Sequence, residues 1–125
     1  MIFCEIGEIK VLFQADSLSL AFITGEGDAV LFRVDSPHSG DFLMLALVNG
    51  VVTVSYNLGT EDIKVTDNRW RLNDGNHHVV RFERNGPNST LQVDDNKKII
   101  STPDGKREMK STTIKLSQNC INLIL

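Results

Sequence analysis

The chain has 125 residues, which suffices for one domain and is too short for two. An apolar fraction of 41% is typical of globular proteins and excludes wholesale disorder. Thirteen basic and sixteen acidic residues give a net charge of −3, with no block of like charge, so a nucleic-acid-binding protein is not expected. The longest apolar run, Phe42 to Val48, is far shorter than the roughly 18 residues of a membrane-spanning helix. We therefore predict a single domain over residues 1–125, with no transmembrane segment.

Alternation with a period of two predicts a series of short strands, and no stretch shows helical spacing. The run from Phe42 to Val48 is apolar on both faces, which predicts a central strand of a sandwich. Asn49-Gly50 follows it directly and predicts a two-residue hairpin, because both central positions of a type I′ turn need a positive φ. The predicted strands are 18–23, 30–34, 42–48, 51–56, 63–66, 77–84, 90–93 and 98–100.

Residues 101–110 are polar and predict an exposed loop, and residues 112–125 have the composition of one or two further strands. Eight or more short strands without an intervening helix predict an all-β antiparallel sandwich, specifically a jelly roll.

The sequence offers little for catalysis. It has no Gly-x-Ser-x-Gly nucleophile motif, and its acidic residues cluster at predicted strand ends, where turn chemistry explains them. His77 and His78 are adjacent, so on a strand they point to opposite faces and cannot bind one metal together. We therefore predict that the protein is not an enzyme. Cys4 and Cys120 are its only cysteines, and the sequence leaves open whether they pair.

An N-glycosylation sequon begins at Asn88, in the triplet Asn88-Ser89-Thr90, at a predicted turn before a strand. It would be an acceptor only if the chain is secreted.

The predicted strands and turns include a series of distinctive segments in a fixed order. They are Leu18-Ser-Leu-Ala-Phe-Ile-Thr, Ala29-Val-Leu-Phe-Arg-Val-Asp, Gly40-Asp41-Phe42-Leu-Met-Leu-Ala-Leu, Asn49-Gly50, Tyr56-Asn-Leu-Gly-Thr60, Asn73-Asp-Gly75, His78-Val-Val-Arg-Phe82 and Asn88-Ser-Thr-Leu-Gln-Val-Asp94. This series resembles that of laminin G-like (LNS) domains over about residues 15–104. Through the last two segments the chain is most similar to the last LNS domain of neurexins.

The resemblance implies an extracellular adhesion module that binds a neuroligin-like receptor through a rim bearing one Ca²⁺. Asp41 matches the side-chain calcium ligand, and Leu58 matches a position that donates its backbone carbonyl. An ungapped alignment puts Lys110 at a second carbonyl position and Thr112 where the family has Asn, whereas a shifted register would bring in Asn119.

The resemblance also assigns partner-binding positions. Gln14 stands where the family has a basic residue, and Lys106 stands where it has Arg, which loses the bidentate fork of a guanidinium. The sequon at Asn88 falls where neurexins carry a glycan. The family's Trp-His pair appears as His77-His78, which we interpret as a change in core packing.

Two alternatives remain at the sequence level. A laminin G module can instead bind heparan sulfate through clustered basic residues, and this chain has Lys97, Lys98, Lys106, Arg107 and Lys110. The chain is also shorter than a complete LNS domain, so we expect the closing strands of the sandwich to be missing. It could then be a truncated isoform without independent activity. Its expected location is outside the cell, as part of a longer membrane protein or secreted.

Overall fold

The computed structural model describes the side chains of residues 17–36, 40–57, 62–85 and 88–102, and the backbone alone of residues 2–6 and 9–14. The described residues form strands and turns, and every neighbouring pair of strands is antiparallel. The strands are β1 (Ile2–Ile6), β2 (Ile9–Gln14), β3 (Ser17–Ile23), β4 (Ala29–Asp35), β5 (Phe42–Val48), β6 (Val51–Asn57), β7 (Asp62–Asp67), β8 (His77–Asn85), β9 (Asn88–Val93) and β10 (Ile99–Ser101).

The strands form two sheets, a six-stranded one in the order β1-β2-β3-β8-β9-β10 and a four-stranded one in the order β4-β5-β6-β7. This confirms the predicted all-β antiparallel sandwich. Strands β1 and β2 add a hairpin that we did not predict, and Ser101 ends β10 rather than beginning a loop. Residues 112–125, where further strands were expected, lie outside the described residues.

One hydrophobic core lies between the sheets. Each sheet contributes its inward-facing side chains at every second position, as the alternation predicts. Phe22, Leu45 and Val80 are fully buried there, and burying each such side chain contributes roughly 1.5–3 kcal/mol.

Strand β5 lies inside its sheet, between β4 and β6, as predicted. Its inward side chains, such as Leu43 and Leu45, are buried. On the outward face the exposure varies, since Ala46 is 6% exposed and Val48 is 57% exposed.

The Asn49-Gly50 hairpin is confirmed. Asn49 has a φ of 51° and Gly50 a φ of 79°, and Val48 pairs directly with Val51 across the turn. The amide of Gly50 also donates to the carbonyl of Gly27 at 2.8 Å, and its carbonyl accepts from the amide of Leu72 at 2.8 Å. The turn is therefore hydrogen-bonded to two other loops, the one that contains Gly27 and the one that contains Leu72. We call the end of the sandwich formed by residues 24–28, 49–50, 68–76 and 94–98 the hairpin end.

An ion pair between the buried Asp67 and the partly exposed Arg69 connects the two sheets at the hairpin end. Asp67 is fully buried at the end of β7, and its two carboxylate oxygens accept from Nε and Nη2 of Arg69 at 2.9 and 2.8 Å. Nη2 of Arg69 also donates to the carbonyl of Lys97 at 2.6 Å, in the connection from β9 to β10. The hydrogen bonds from Arg69 lower the pKa of Asp67.

His78 forms a second cluster at this end. Its Nδ1 lies 2.8 Å from a carboxylate oxygen of Asp94, and its Nε2 lies 2.8 Å from one of Asp74. Burial lowers the pKa of His78, but the two carboxylates raise it by more, so its net pKa is raised. The His78 ring and the Asn76 amide together lower the pKa of Asp74 to about 2. His78 thus holds two loop carboxylates together. His77 is exposed, so the interpretation of His77-His78 as a change in core packing is wrong for His77.

Replacing Gly50 by Ala should destabilise the protein by about 1–3 kcal/mol, because an L side chain is strained at positive φ. The added Cβ would also meet the side-chain oxygen of Asn73. Urea unfolding measures the change, with Gly25→Ala as the control because no described atom lies within 4 Å of the added carbon there. Equal losses in the two variants would contradict this role for the turn.

The stability that His78 contributes should depend on pH. Because its folded pKa is raised, the contribution is complete below the unfolded pKa of about 6.5 and is lost as the pH rises through the folded value. We expect the free energy of unfolding to fall more steeply between pH 6 and 9 in the wild type than in His78→Gln. The exposed neighbour provides the control, and His77→Gln should keep the wild-type slope. A wild-type slope in His78→Gln would refute the assignment.

Candidate functional site

The strand register brings three of the predicted site residues to one end of the sandwich, opposite the hairpin end. Gln14 is the last residue of β2, Asp41 directly precedes β5, and Asn88 is the first residue of β9. We call this the rim end. The side chain of Gln14 is outside the described part of the structure.

Asp41 lies in the connection between β4 and β5. Its carbonyl accepts from the amide of Ser36 at 2.8 Å, which holds the connection closed. The residue is only 4% exposed, so its carboxylate is held against the protein rather than in open solvent. A carboxylate oxygen is a ligand that Ca²⁺ prefers, and the assignment of Asp41 as a calcium ligand stays a prediction.

Asp41 is the one predicted calcium ligand that lies among the described residues. Across the described ranges, no group of three or more His, Cys, Asp or Glu side chains is arranged to hold a metal ion. Calcium sites take six to eight oxygen ligands, so the other ligands would have to be backbone carbonyls, waters and residues elsewhere in the chain. The predicted site residues outside the described residues are Leu58, Lys106, Lys110 and Thr112, together with the alternative ligand Asn119.

The strand ends next to residues 58–61 do lie at the rim end. Asn57 ends β6 and Asp62 begins β7, and Nδ2 of Asn57 donates to a carboxylate oxygen of Asp62 at 2.8 Å. The first residue of β5, Phe42, pairs with the last residue of β6, Asn57. In the sequence Asp41 directly precedes Phe42, and Leu58 directly follows Asn57.

Asn88 is exposed at the start of β9, where its pairing with Asn85 closes the hairpin between β8 and β9. Ser89 is buried and Thr90 is half-buried. The asparagine that would carry a glycan thus faces solvent.

Of the basic residues in the heparan sulfate alternative, the two that the structure describes lie away from the rim end. Lys97 and Lys98 are exposed at the hairpin end, and Arg69 lies against the carbonyl of Lys97. Lys106, Arg107 and Lys110 lie outside the described residues, so no common basic surface is described. The pairing of Cys4 with Cys120 also stays a sequence-level question, for the same reason.

Among the residues that the structure describes, no helix is long and apolar enough to span a membrane.

Comparison with solved structures identifies the sandwich. The mouse laminin alpha1 chain, domains LG4-5, superposes with a TM-score of 0.69 at 22% identity, over 86% of this chain and 28% of that one. The LG1-3 region of the laminin alpha2 chain gives a TM-score of 0.66 at 21% identity, over 86% and 21%. At such identities the likeness shows the fold alone, and it confirms the predicted type of sandwich.

Sequence comparison agrees. The chain is 46% identical to neurexin-1a-beta of Danio rerio over 93 residues, which are 74% of this chain and 21% of the relative. It is 49% identical to human neurexin-3-beta over 82 residues, which are 65% and 13%. The chain therefore spans about a fifth or less of these relatives. A family model described as "Laminin G domain" matches residues 22–120, so the chain belongs to the laminin G domain family.

Proposed function

We propose that residues 1–125 act as a single extracellular adhesion module of the neurexin type. The module binds a cell-surface protein, a neuroligin-like receptor, through a rim that carries one Ca²⁺. The neurexin similarity supports this class of function, and the placement of Asp41 carries the assignment of the rim. Binding rather than catalysis is the proposed activity, and the similarity to neurexins supports it.

The rim end suits partner binding for a physical reason. In a β-sandwich the loops at one end can vary in sequence without disturbing the core, so binding residues concentrate there. Asp41 supplies the carboxylate, and the carbonyls of Leu58 and Lys110 and the hydroxyl of Thr112 complete the proposed protein ligands. Gln14 and Lys106 are the proposed contacts to the receptor, and Asn88 is the proposed glycan acceptor.

Calcium should stabilise the chain, and Asp41→Asn should remove most of that effect, since the amide loses the negative charge. Extracellular modules bind Ca²⁺ with a Kd of about 10⁻⁴ to 10⁻³ M. At ten times the Kd, binding adds about 1.4 kcal/mol, which raises the Tm of a domain of this size by several degrees. Thermal melts with chelator, with Mg²⁺ and with Ca²⁺ measure the shift.

Asp95→Asn is the matched control, because Asp95 is an exposed carboxylate at the hairpin end and should keep the full calcium shift. The same variants are then tested on an immobilised neuroligin ectodomain. Binding should need calcium, fail in Asp41→Asn and persist in Asp95→Asn. Unchanged receptor binding in Asp41→Asn would contradict the rim assignment, and retention on heparin that survives chelation would favour the heparan sulfate alternative.

Secretion from mammalian cells should attach a glycan at Asn88, because the residue is exposed at the start of β9. Treatment with a peptide N-glycosidase should increase the electrophoretic mobility of the wild type. Asn88→Gln should migrate at the deglycosylated position without treatment. Asn85→Gln, across the same hairpin, is the control that keeps the glycan. A glycan that survives in Asn88→Gln would refute the assignment.

A further inference from the structure

The dipeptide at the β5–β6 turn, Asn49-Gly50, has a chemical reactivity of its own. In an Asn-Gly dipeptide the backbone nitrogen of the glycine can attack the side-chain carbonyl carbon of the asparagine, because glycine has no Cβ to obstruct the approach. A C–N bond forms, the glycine amide proton passes to the leaving side-chain nitrogen, ammonia departs and a succinimide remains. Water then opens the ring to aspartate or to isoaspartate. The chain has two such dipeptides, Asn49-Gly50 and Asn85-Gly86.

The electrophile of this reaction is accessible at Asn49. The residue is exposed, so water can reach its side-chain amide. Nη1 of Arg71 donates to the side-chain oxygen of Asn49 at 3.4 Å. A cationic donor at this oxygen stabilises the negative charge that develops on it when the nitrogen attacks. The carbonyl group and the water that deamidation needs are therefore both available in the folded chain.

The nucleophile, in contrast, is held back. The amide of Gly50 donates to the carbonyl of Gly27 at 2.8 Å, and Gly50 is buried. The nitrogen becomes a nucleophile only when it loses its proton. In this position the resulting anion would lie against a carbonyl oxygen and away from water, which is unfavourable. The hydrogen bond to Gly27 therefore has to break before the reaction can proceed.

The loop at residues 68–76 keeps that hydrogen bond closed. The carbonyl of Gly50 accepts from the amide of Leu72 at 2.8 Å, and Leu72 is fully buried. The Asn73 side chain packs against both glycines, since a Cβ added to Gly50 would meet its oxygen and one added to Gly27 would meet its nitrogen. The Gly50 amide is thus released only when this loop moves away from the turn.

We propose that Asn49 is a deamidation site that is gated by opening of the hairpin end. While Gly50 is bonded to Gly27 the reaction is suppressed, and each local opening releases the nucleophile. Local openings are part of the native equilibrium, and a slow irreversible reaction follows the population of the open state. The rate of deamidation at Asn49 therefore reports how often the hairpin end opens.

The product prevents the hairpin end from closing again. Isoaspartate adds a methylene to the main chain within the turn, which disturbs the two-residue geometry that pairs Val48 with Val51. Either product also places a carboxylate next to Asp28, which accepts from the amide of Asn49 at 2.8 Å. A transient opening is thereby converted into a lasting change. The rim end lies at the other end of the sandwich, so this proposal does not depend on calcium.

Peptide mapping by mass spectrometry tests the proposal on the full chain. The wild type is incubated in mildly alkaline buffer with and without urea, and the deamidated fraction is followed at each asparagine. In urea Asn49 and Asn85 should react at similar rates, because glycine follows both and local sequence alone then acts. Without urea Asn49 should react at least about tenfold more slowly than in urea, since only the open fraction reacts. Equal rates at Asn49 in the two conditions would overturn the proposal.

Asn73→Ala should open the gate, because it removes the side chain that packs on Gly50. We expect deamidation at Asn49 to be several-fold faster in this variant than in the wild type. Asn68→Ala is the matched control, since Asn68 is an exposed residue of the same loop, and it should keep the wild-type rate. A wild-type rate in folded Asn73→Ala would contradict the gate.

Hydrogen exchange keeps the test decisive if Asn73→Ala fails to fold. In the wild type, low concentrations of urea should raise exchange of the Gly50 amide and deamidation of Asn49 in parallel, because both need the same opening. Exchange that rises without deamidation would overturn the proposal. The deamidated chain, separated by ion exchange, should melt several degrees below the unmodified chain. An unchanged Tm would refute the lasting change at the hairpin end.

Discussion

The left-handed turn at Asn49-Gly50 is the constraint on which the hairpin end depends. It sets the register of β5 against β6, and a slip of one residue would turn Leu45 and its neighbours from the core to the solvent. The same glycine donates to Gly27 and accepts from Leu72, so the entry to β4 and the connection from β7 to β8 are fixed by one residue. Because the backbone of Gly50 is held by hydrogen bonds to two other loops, and a Cβ there would meet the Asn73 side chain, the position leaves no room for a side chain.

Around this turn, contacts between charged side chains hold the loops of the hairpin end together, in addition to the backbone hydrogen bonds. Arg69 neutralises the buried Asp67 and joins the two sheets through Lys97, and His78 joins Asp74 to Asp94. A partly exposed ion pair of this kind adds little net stability, but removing Arg69 would leave the buried carboxylate of Asp67 without its charge partner, which is costly. These contacts therefore specify the arrangement of the loops more than they add to the total stability. The opposite end is the one for which we propose a role in recognition.

The sequence predicted the sandwich because alternation and turn chemistry are local. Val51 to Tyr56 alternate, and Asn49-Gly50 needs positive φ, whatever the rest of the chain does. Side-chain pairing is not local in this way, and nothing in the sequence separates Asp67, which is buried, from Asp95, which is exposed. A run of apolar residues shows that two faces are apolar, but not that a second layer covers both.

The rim end shows the same limit in the chemistry of a site. A carboxylate such as Asp41 can be found from a sequence, whereas a carbonyl ligand can be supplied by any residue, including Leu58 or Lys110. With Thr112 in place of Asn, the proposed shell keeps an oxygen ligand at that position, and the ammonium of Lys110 extends beyond its own carbonyl on four methylenes. Such changes lower the affinity for Ca²⁺ without removing the ligand count that the ion needs. An extracellular site can tolerate this, because it works at millimolar calcium, where affinities of about 10⁻⁴ to 10⁻³ M suffice.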